Sequence, residues 1–214
     1  MHCRGGGTMR KSDETIAQAA VGPHRLRAGA AHLLRRLALG ALSIAAASAH
    51  AAVVNVDTAT SYDSFAEAYS AADNGETLEL DDGTYALSSF ALNKEVDIRA
   101  KNIGGAVIQG DGIATGFPVI ITADMTLSGL QFTAATAAFS LRDQAVTVTV
   151  EDAVFHGMNH GVTHQNQAGG TIGQIIVNRA TFYDLVEEAI YVNSGGPVVV
   201  NHAVFVDLPG LGLL

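Results

Sequence analysis

Val177-Asn-Arg-Ala-Thr-Phe-Tyr-Asp-Leu185 returns 23 residues later as Val200-Asn-His-Ala-Val-Phe-Val-Asp-Leu208, with six of nine positions identical. Val150-Glu-Asp-Ala-Val-Phe155 fits the same frame, and Leu127-Ser-Gly-Leu-Gln-Phe132 fits it more loosely. The phenylalanines Phe132, Phe155, Phe182 and Phe205 are then spaced 23, 27 and 23. A fixed short period with variation confined to loops is the mark of a solenoid, in which each repeat buries its apolar face against the next. Within a repeat the apolar period is two: Ile175/Val177, Ala180/Phe182, Val198/Val200 and Ala203/Phe205 alternate with polar or smaller neighbours, as half-buried strands do. Three short runs, Ala189–Val192, Pro197–Val200 and His202–Phe205, fill one repeat, with corners at Asn193-Ser-Gly-Gly196 and Asn201. Stacked at the inter-strand spacing of about 4.8 Å, such repeats superpose the phenylalanines in one column and Ala153, Ala180 and Ala203 in another. Asn178 over Asn201 makes a side-chain amide ladder. The expected fold is all-β, a right-handed parallel β-helix. A stack of helical repeats is disfavoured by the period of two.

Working toward the N-terminus, Asp63-Ser-Phe-Ala-Glu-Ala-Tyr-Ser-Ala-Ala72 carries Phe65, Ala68, Tyr69 and Ala72 at i, i+3, i+4, i+7, an amphipathic helix stopped by Asn74-Gly75. It is expected to cap the open end of the core, where an exposed coil would invite edge pairing. Thr77–Leu80, Gly83–Tyr85 and Val96–Arg99 then begin the coils.

Further back, Arg25, Arg27, Arg35 and Arg36 precede the apolar run Leu37–Ala47 and the A-x-A sequence Ala49-His-Ala51. That order is a secretory signal with cleavage expected after Ala51. Its apolar run is shorter than the roughly 20 residues a bilayer span needs. The expected organisation is therefore 1–51, extension and signal peptide; 52–75, cap; 76–214, coils. The product is secreted or periplasmic, with no membrane span after cleavage. The apolar tail Pro209–Leu214 carries no closing element and predicts a chain that continues into further coils, the rival being a short β-helix that dimerises over its end.

Residues 1–51 hold seven of the twelve Lys+Arg and two of the 21 Asp+Glu, leaving five and 19 in the remainder, a net charge of −14. A surface so acidic excludes nucleic acid, which needs a basic footprint. The only cysteine, Cys3, lies in the extension, so disulfides and thiolate metal sites are excluded from residues 52–214.

Asn74-Gly-Glu-Thr-Leu-Glu-Leu-Asp-Asp-Gly-Thr-Tyr85, then Val96-Asp-Ile-Arg-Ala100 and Gly104-Gly-Ala-Val-Ile-Gln-Gly110, resemble the opening coils of secreted β-helix polysaccharide lyases. The resemblance is closest to the alginate lyase/chondroitinase B family, with the pectate-lyase-like superfamily behind it, and covers about residues 60–210. It implies calcium-assisted β-elimination of an acidic polysaccharide such as alginate. The family's calcium pattern E-x-E-x-x-x-N-K places Glu187 at its first Glu and Asn193 at its Asn, while Ala189 and Ser194 occupy the second Glu and the Lys.

β-Elimination beside a uronate needs a partner for the carboxylate, a base, and a proton donor for the leaving oxygen. Residues 52–214 offer only five cations: Lys94, Arg99, Lys101, Arg142 and Arg179. Counting from the phenylalanine columns, Ser140/Arg142, Thr163/His164 and Tyr191 fall on or near one face in successive coils. Arg142 is the candidate carboxylate partner, His164 the base and Tyr191 a hydrogen-bonding group for sugar. Their bland reading is a solvated exterior sheet. His156, His160 and His164 are four apart, a metal spacing on a helix, but Gly157, Gly161 and the repeat frame place them in strand and turn. Asp81-Asp82 and Glu187-Glu188 are calcium candidates by charge alone. Two classes stay open: a polysaccharide lyase, and a non-catalytic glycan-binding or structural β-helix.

Overall fold

A computed structural model describes residues 51–112, 116–141, 145–165, 173–193 and 196–208. The expected signal segment, the tail Pro209–Leu214 and Arg142 lie outside them. In chain order the elements are β1 (Val53–Asn55), β2 (Thr60–Tyr62) and α1 (Phe65–Ala71), followed by the coils. The first coil holds β3 (Thr77–Leu80), β4 (Gly83–Ala86) and β5 (Phe90–Leu92); the second, β6 (Asp97–Ala100), β7 (Ala106–Gln109) and β8 (Val119–Ile121). The third holds β9 (Met125–Ser128), β10 (Gln131–Thr133) and β11 (Phe139–Leu141). In the fourth come β12 (Thr147–Glu151), β13 (Val154–Met158) and β14 (Val162–Gln165). The fifth holds β15 (Gln174–Asn178), β16 (Thr181–Leu185) and β17 (Ile190–Asn193), and β18 (Val198–Asn201) and β19 (Val204–Val206) begin the next.

First strands of successive coils pair in parallel as sheet A, second strands as sheet B and third strands as sheet C. The chain is a parallel β-helix, the fold the repeats predicted. Ile108, Phe132, Phe155, Phe182 and Phe205 form one column by register. The four phenyl rings stack at centroid separations of 5.2, 4.7 and 5.2 Å. Each such pair contributes about 0.5–1.5 kcal/mol beyond the area it buries.

The corner between sheets A and B is the Asn ladder. The Asn201 Nδ2 donates to Asn178 Oδ1 at 2.9 Å, and Asn178 Nδ2 donates to Glu151 Oε1 at 3.2 Å. The next residue in each coil (Gly129, Asp152, Arg179, His202) takes positive φ, between 51° and 67°, which turns the chain onto sheet B. Side-chain amides from coil to coil and a left-handed residue together make the corner repeat.

Helix α1 forms where the pattern placed it, with Ser64 as N-cap accepting from Glu67 N at 3.2 Å. Its buried face, Phe65, Ala68 and Tyr69, meets Phe90 of the first coil edge-on. Its last carbonyls are closed by Lys94, whose Nζ donates to the backbone oxygens of Tyr69, Ser70 and Ala72 at 3.1, 2.8 and 2.7 Å. The sequence pattern did not reveal the antiparallel hairpin of β1 and β2, which pairs with β3 and covers the edge of sheet A. Its buried Asn55 is satisfied by Glu76 and by the Asp57 and Thr58 amides. Nearby, Tyr85 sits within reach of the Ala52 and Asp81 carbonyls. Burial, then the charges of Asp81 and Asp82, push its phenol up to about 12.

Candidate functional site

The turn between sheets B and C is pinned coil to coil by backbone hydrogen bonds. His160 N donates to Thr136 O, Glu187 N to Asn159 O, and Gly161 N to Glu188 O. One residue makes this turn unusual. Phe155 registers with Phe182, an offset of 27, whereas Val162 registers with Ile190, an offset of 28. The fifth coil therefore has one more residue in this turn than the fourth. Two carboxylates, Glu187 and Glu188, come to lie over a single imidazole. His160 Nε2 is 3.3 Å from Glu187 Oε2, and His160 Nδ1 is 2.9 Å from Glu188 Oε2. Gly161 lets the chain pass: a Cβ there would stand 2.5 Å from Ala189 O and 2.6 Å from the Phe182 ring.

Tyr191, from the same coil as the two glutamates, stacks on the His160 ring at 5.1 Å and 24°. A second stack, His156 on Tyr183, lies on the outer face of sheet B at 5.0 Å and 3°, in the same two coils. Gln131 Nε2 contacts His156 Nε2 from the coil below. Burial beneath its neighbours holds the His156 imidazole below its ordinary value, against the opposing charge of Asp184.

The structure sorts the predicted residues. Tyr191 is in register with Thr163 and Ser140, a column on the side of sheet C away from the core, in which Ser140 and Thr163 are themselves buried. His164 falls one residue away, in register with Leu141 and Val192. That column continues down through Ile121 and Leu92 and faces the core. At 3% exposure His164 is interior, its Nε2 accepting from Gly196 N at 3.4 Å and its Nδ1 without a hydrogen bond among the described residues. Burial, opposed by that amide contact, holds its pKa below the ordinary histidine value. Tyr191 and His164 thus face opposite sides of one sheet.

Glu187 precedes β17 and Asn193 ends it. Glu187 meets His160 across the coil step. The extra residue that brings them together falls between Leu185 and Ile190, inside the Phe182–Phe205 step of 23, so the phenylalanine spacing does not mark it.

Each described cation after residue 51 is committed to a partner. Lys94 closes α1, Arg99 pairs with Glu79 at 2.9 Å and Lys101 with Asp81 at 2.7 Å. Arg179 grips Asp152 at 2.7 Å, with Glu151 at 3.5 Å. Two open depressions of about 310 Å³ each lie elsewhere, along the approach to sheet A. Their aspartates are structural: Asp97 and Asp124 accept from the Thr126 and Thr147 amides of the next coil. No helix of the described residues is long and apolar enough to cross a membrane. In comparison with known proteins, no family model and no curated sequence matches the chain.

Proposed function

We propose that the chain is an exported glycan-binding β-helix module, its binding surface the B–C corner of the fourth and fifth coils. The observation that carries this reading is the pair of parallel stacks, His156–Tyr183 and His160–Tyr191, on outer faces of the same two coils. Rings stacked from coil to coil present their edges outward, with phenol and imidazole groups that can hydrogen-bond the hydroxyls of a pyranose. The ligand class is an acidic polysaccharide such as alginate, the class the resemblance of the opening coils implies. Carboxylates on the corner oppose a polyuronate, so binding depends on divalent cations between the two.

The commitment of the four described cations to structural partners argues for binding over catalysis by these coils. The resemblance favours a second reading, a lyase acting on the same polymer; the residues the column count offers it are Arg142 as carboxylate partner, His164 as base and Tyr191 as a hydrogen-bonding group for sugar. Titration calorimetry with alginate, and with a neutral glucan as control, tests both. The expected result is cation-dependent alginate binding that weakens about tenfold or more in Tyr183→Ala and Tyr191→Ala. Absence of binding with or without divalent cations would overturn the proposal. Ultraviolet absorbance from an unsaturated uronate, lost in Arg142→Ala and Tyr191→Phe, would replace it with the lyase reading.

A further inference from the structure

The resemblance points to calcium at Glu187 and Asn193. The geometry brings Glu187 to an imidazole. One ligand atom from each of His160, Glu187 and Glu188 lies within 4.8 Å of the others. We propose that these three residues form a site for one divalent transition-metal ion, zinc being the representative, rather than for calcium.

Three observations carry the proposal. The donors belong to a rigid turn, since residues 159–161 and 186–188 are joined by inter-coil backbone hydrogen bonds. The 3.3 Å between His160 Nε2 and Glu187 Oε2 matches the donor–donor edge of about 3.3 Å in a tetrahedral site with bonds of about 2.0–2.1 Å. Finally, with Nε2 on the ion, the solvent-shielded Nδ1 lies 2.9 Å from Glu188 Oε2, the carboxylate–histidine contact that orients the ring of a metal-ligating histidine.

Donor chemistry sets the ion class. Imidazole suits zinc, copper, nickel and iron, whereas calcium takes six to eight oxygens, more than two glutamates supply. With three protein donors, zinc keeps an open coordination position. A hydroxyl or carboxylate oxygen from outside the protein is the chemical class it would accept.

The site does not rest on the glycan reading, and its test contains no sugar. Zinc chloride and, separately, calcium chloride are titrated calorimetrically into the full chain and into His160→Gln, Glu187→Gln and Glu188→Gln. The other histidines and Cys3 are the same in every sample, so the difference between proteins isolates this corner. The expected result is one zinc equivalent in the wild type that is missing in His160→Gln. It should weaken at least tenfold in each glutamine variant, and no calcium isotherm should depend on His160. Zinc should also raise the melting temperature of the wild type more than that of His160→Gln. The half-exposed Glu187 makes Glu187→Gln the variant least able to disturb folding. Zinc isotherms that superpose for wild type, His160→Gln and Glu187→Gln would overturn the proposal, as would calcium binding of equal strength lost with the same residues.

Discussion

The first two coils and the last two are built from the same three-strand turn, yet they spend their polar residues differently. In the opening coils every charge of either sign that pairs does so along the stack. Arg99 meets Glu79 and Lys101 meets Asp81, each 20 residues away in the coil below, while Lys94 closes the cap helix. The fourth and fifth coils keep one such pair, Arg179 with Asp152, and add a gathering of histidines and tyrosines, His156 on Tyr183 and His160 on Tyr191, with two carboxylates against one imidazole. The described edge beyond them exposes apolar side chains, Val204 at 53% and Phe205 at 40%. A solenoid adds its energy coil by coil, so one region can be committed to closure while another carries a site.

The sharpest way to break this comparison is through the shared core. Phe155→Ala removes the ring sandwiched between Phe132 and Phe182 and should cost about 3–5 kcal/mol, read as a lower urea midpoint. A cost under about 1 kcal/mol would mean that the column does not hold the coils together. Gly161→Ala should cost about 1–3 kcal/mol, because a methyl group must enter the space of Ala189 O and Phe182. Since that glycine also sets the approach of the two coils at the corner, the variant should lose glycan binding along with stability.

Lys94→Met tests the opposite end. Three carbonyls of α1 lose their cation, and a loss of about 1–2 kcal/mol is expected. Glycan binding should be unchanged, because the cap lies coils away from the corner. A Lys94→Met protein that binds more weakly at full folding would erase the proposed division of labour.

The smallest effect is a pH dependence. Burial holds His164 below its ordinary pKa, so the unfolded chain takes up a proton before the folded one does. Its contribution to stability is complete above about pH 6.5 and declines as the pH falls below that value. His156 adds in the same direction. Melting temperature should drop between pH 7 and pH 5, and His164→Leu, which continues the Leu92–Ile121–Leu141 column, should flatten part of that slope. An unchanged slope in His164→Leu would show that the interior position of His164 does not govern acid sensitivity.

The fold was legible in the sequence because a parallel β-helix repeats its side chains in vertical register. The phenylalanine column, the alanine column beside it and the Asn178–Asn201 ladder all follow from one nine-residue comparison. The cap helix was equally plain, since four apolar residues at helical spacing leave one buried face. The hairpin of β1 and β2 was not: its strands are three residues each, and Thr60–Tyr62 is largely exposed, so no periodicity marks it. The site was half legible. Tyr191 could be placed on an outer face by counting, but His164 and Thr163 differ by one residue, and in a strand one residue exchanges outside for inside. The approach of His160 to Glu187 and Glu188 depends on a single extra residue in a turn. Pattern matching at the level of strands passes over such an insertion, and the phenylalanine spacing does not mark it, because it falls after Phe182 in a step of 23.

The central claim is that the fourth and fifth coils carry the binding surface and the opening coils do not. The most direct measurement is the backbone amide spectrum of the isotope-labelled protein during titration with an alginate oligosaccharide in the presence of a divalent cation. The account predicts shifts concentrated in residues 156–163 and 183–191, with residues 77–100 unmoved. Shifts centred on the opening coils, or an unchanged spectrum at saturating oligosaccharide, would contradict it.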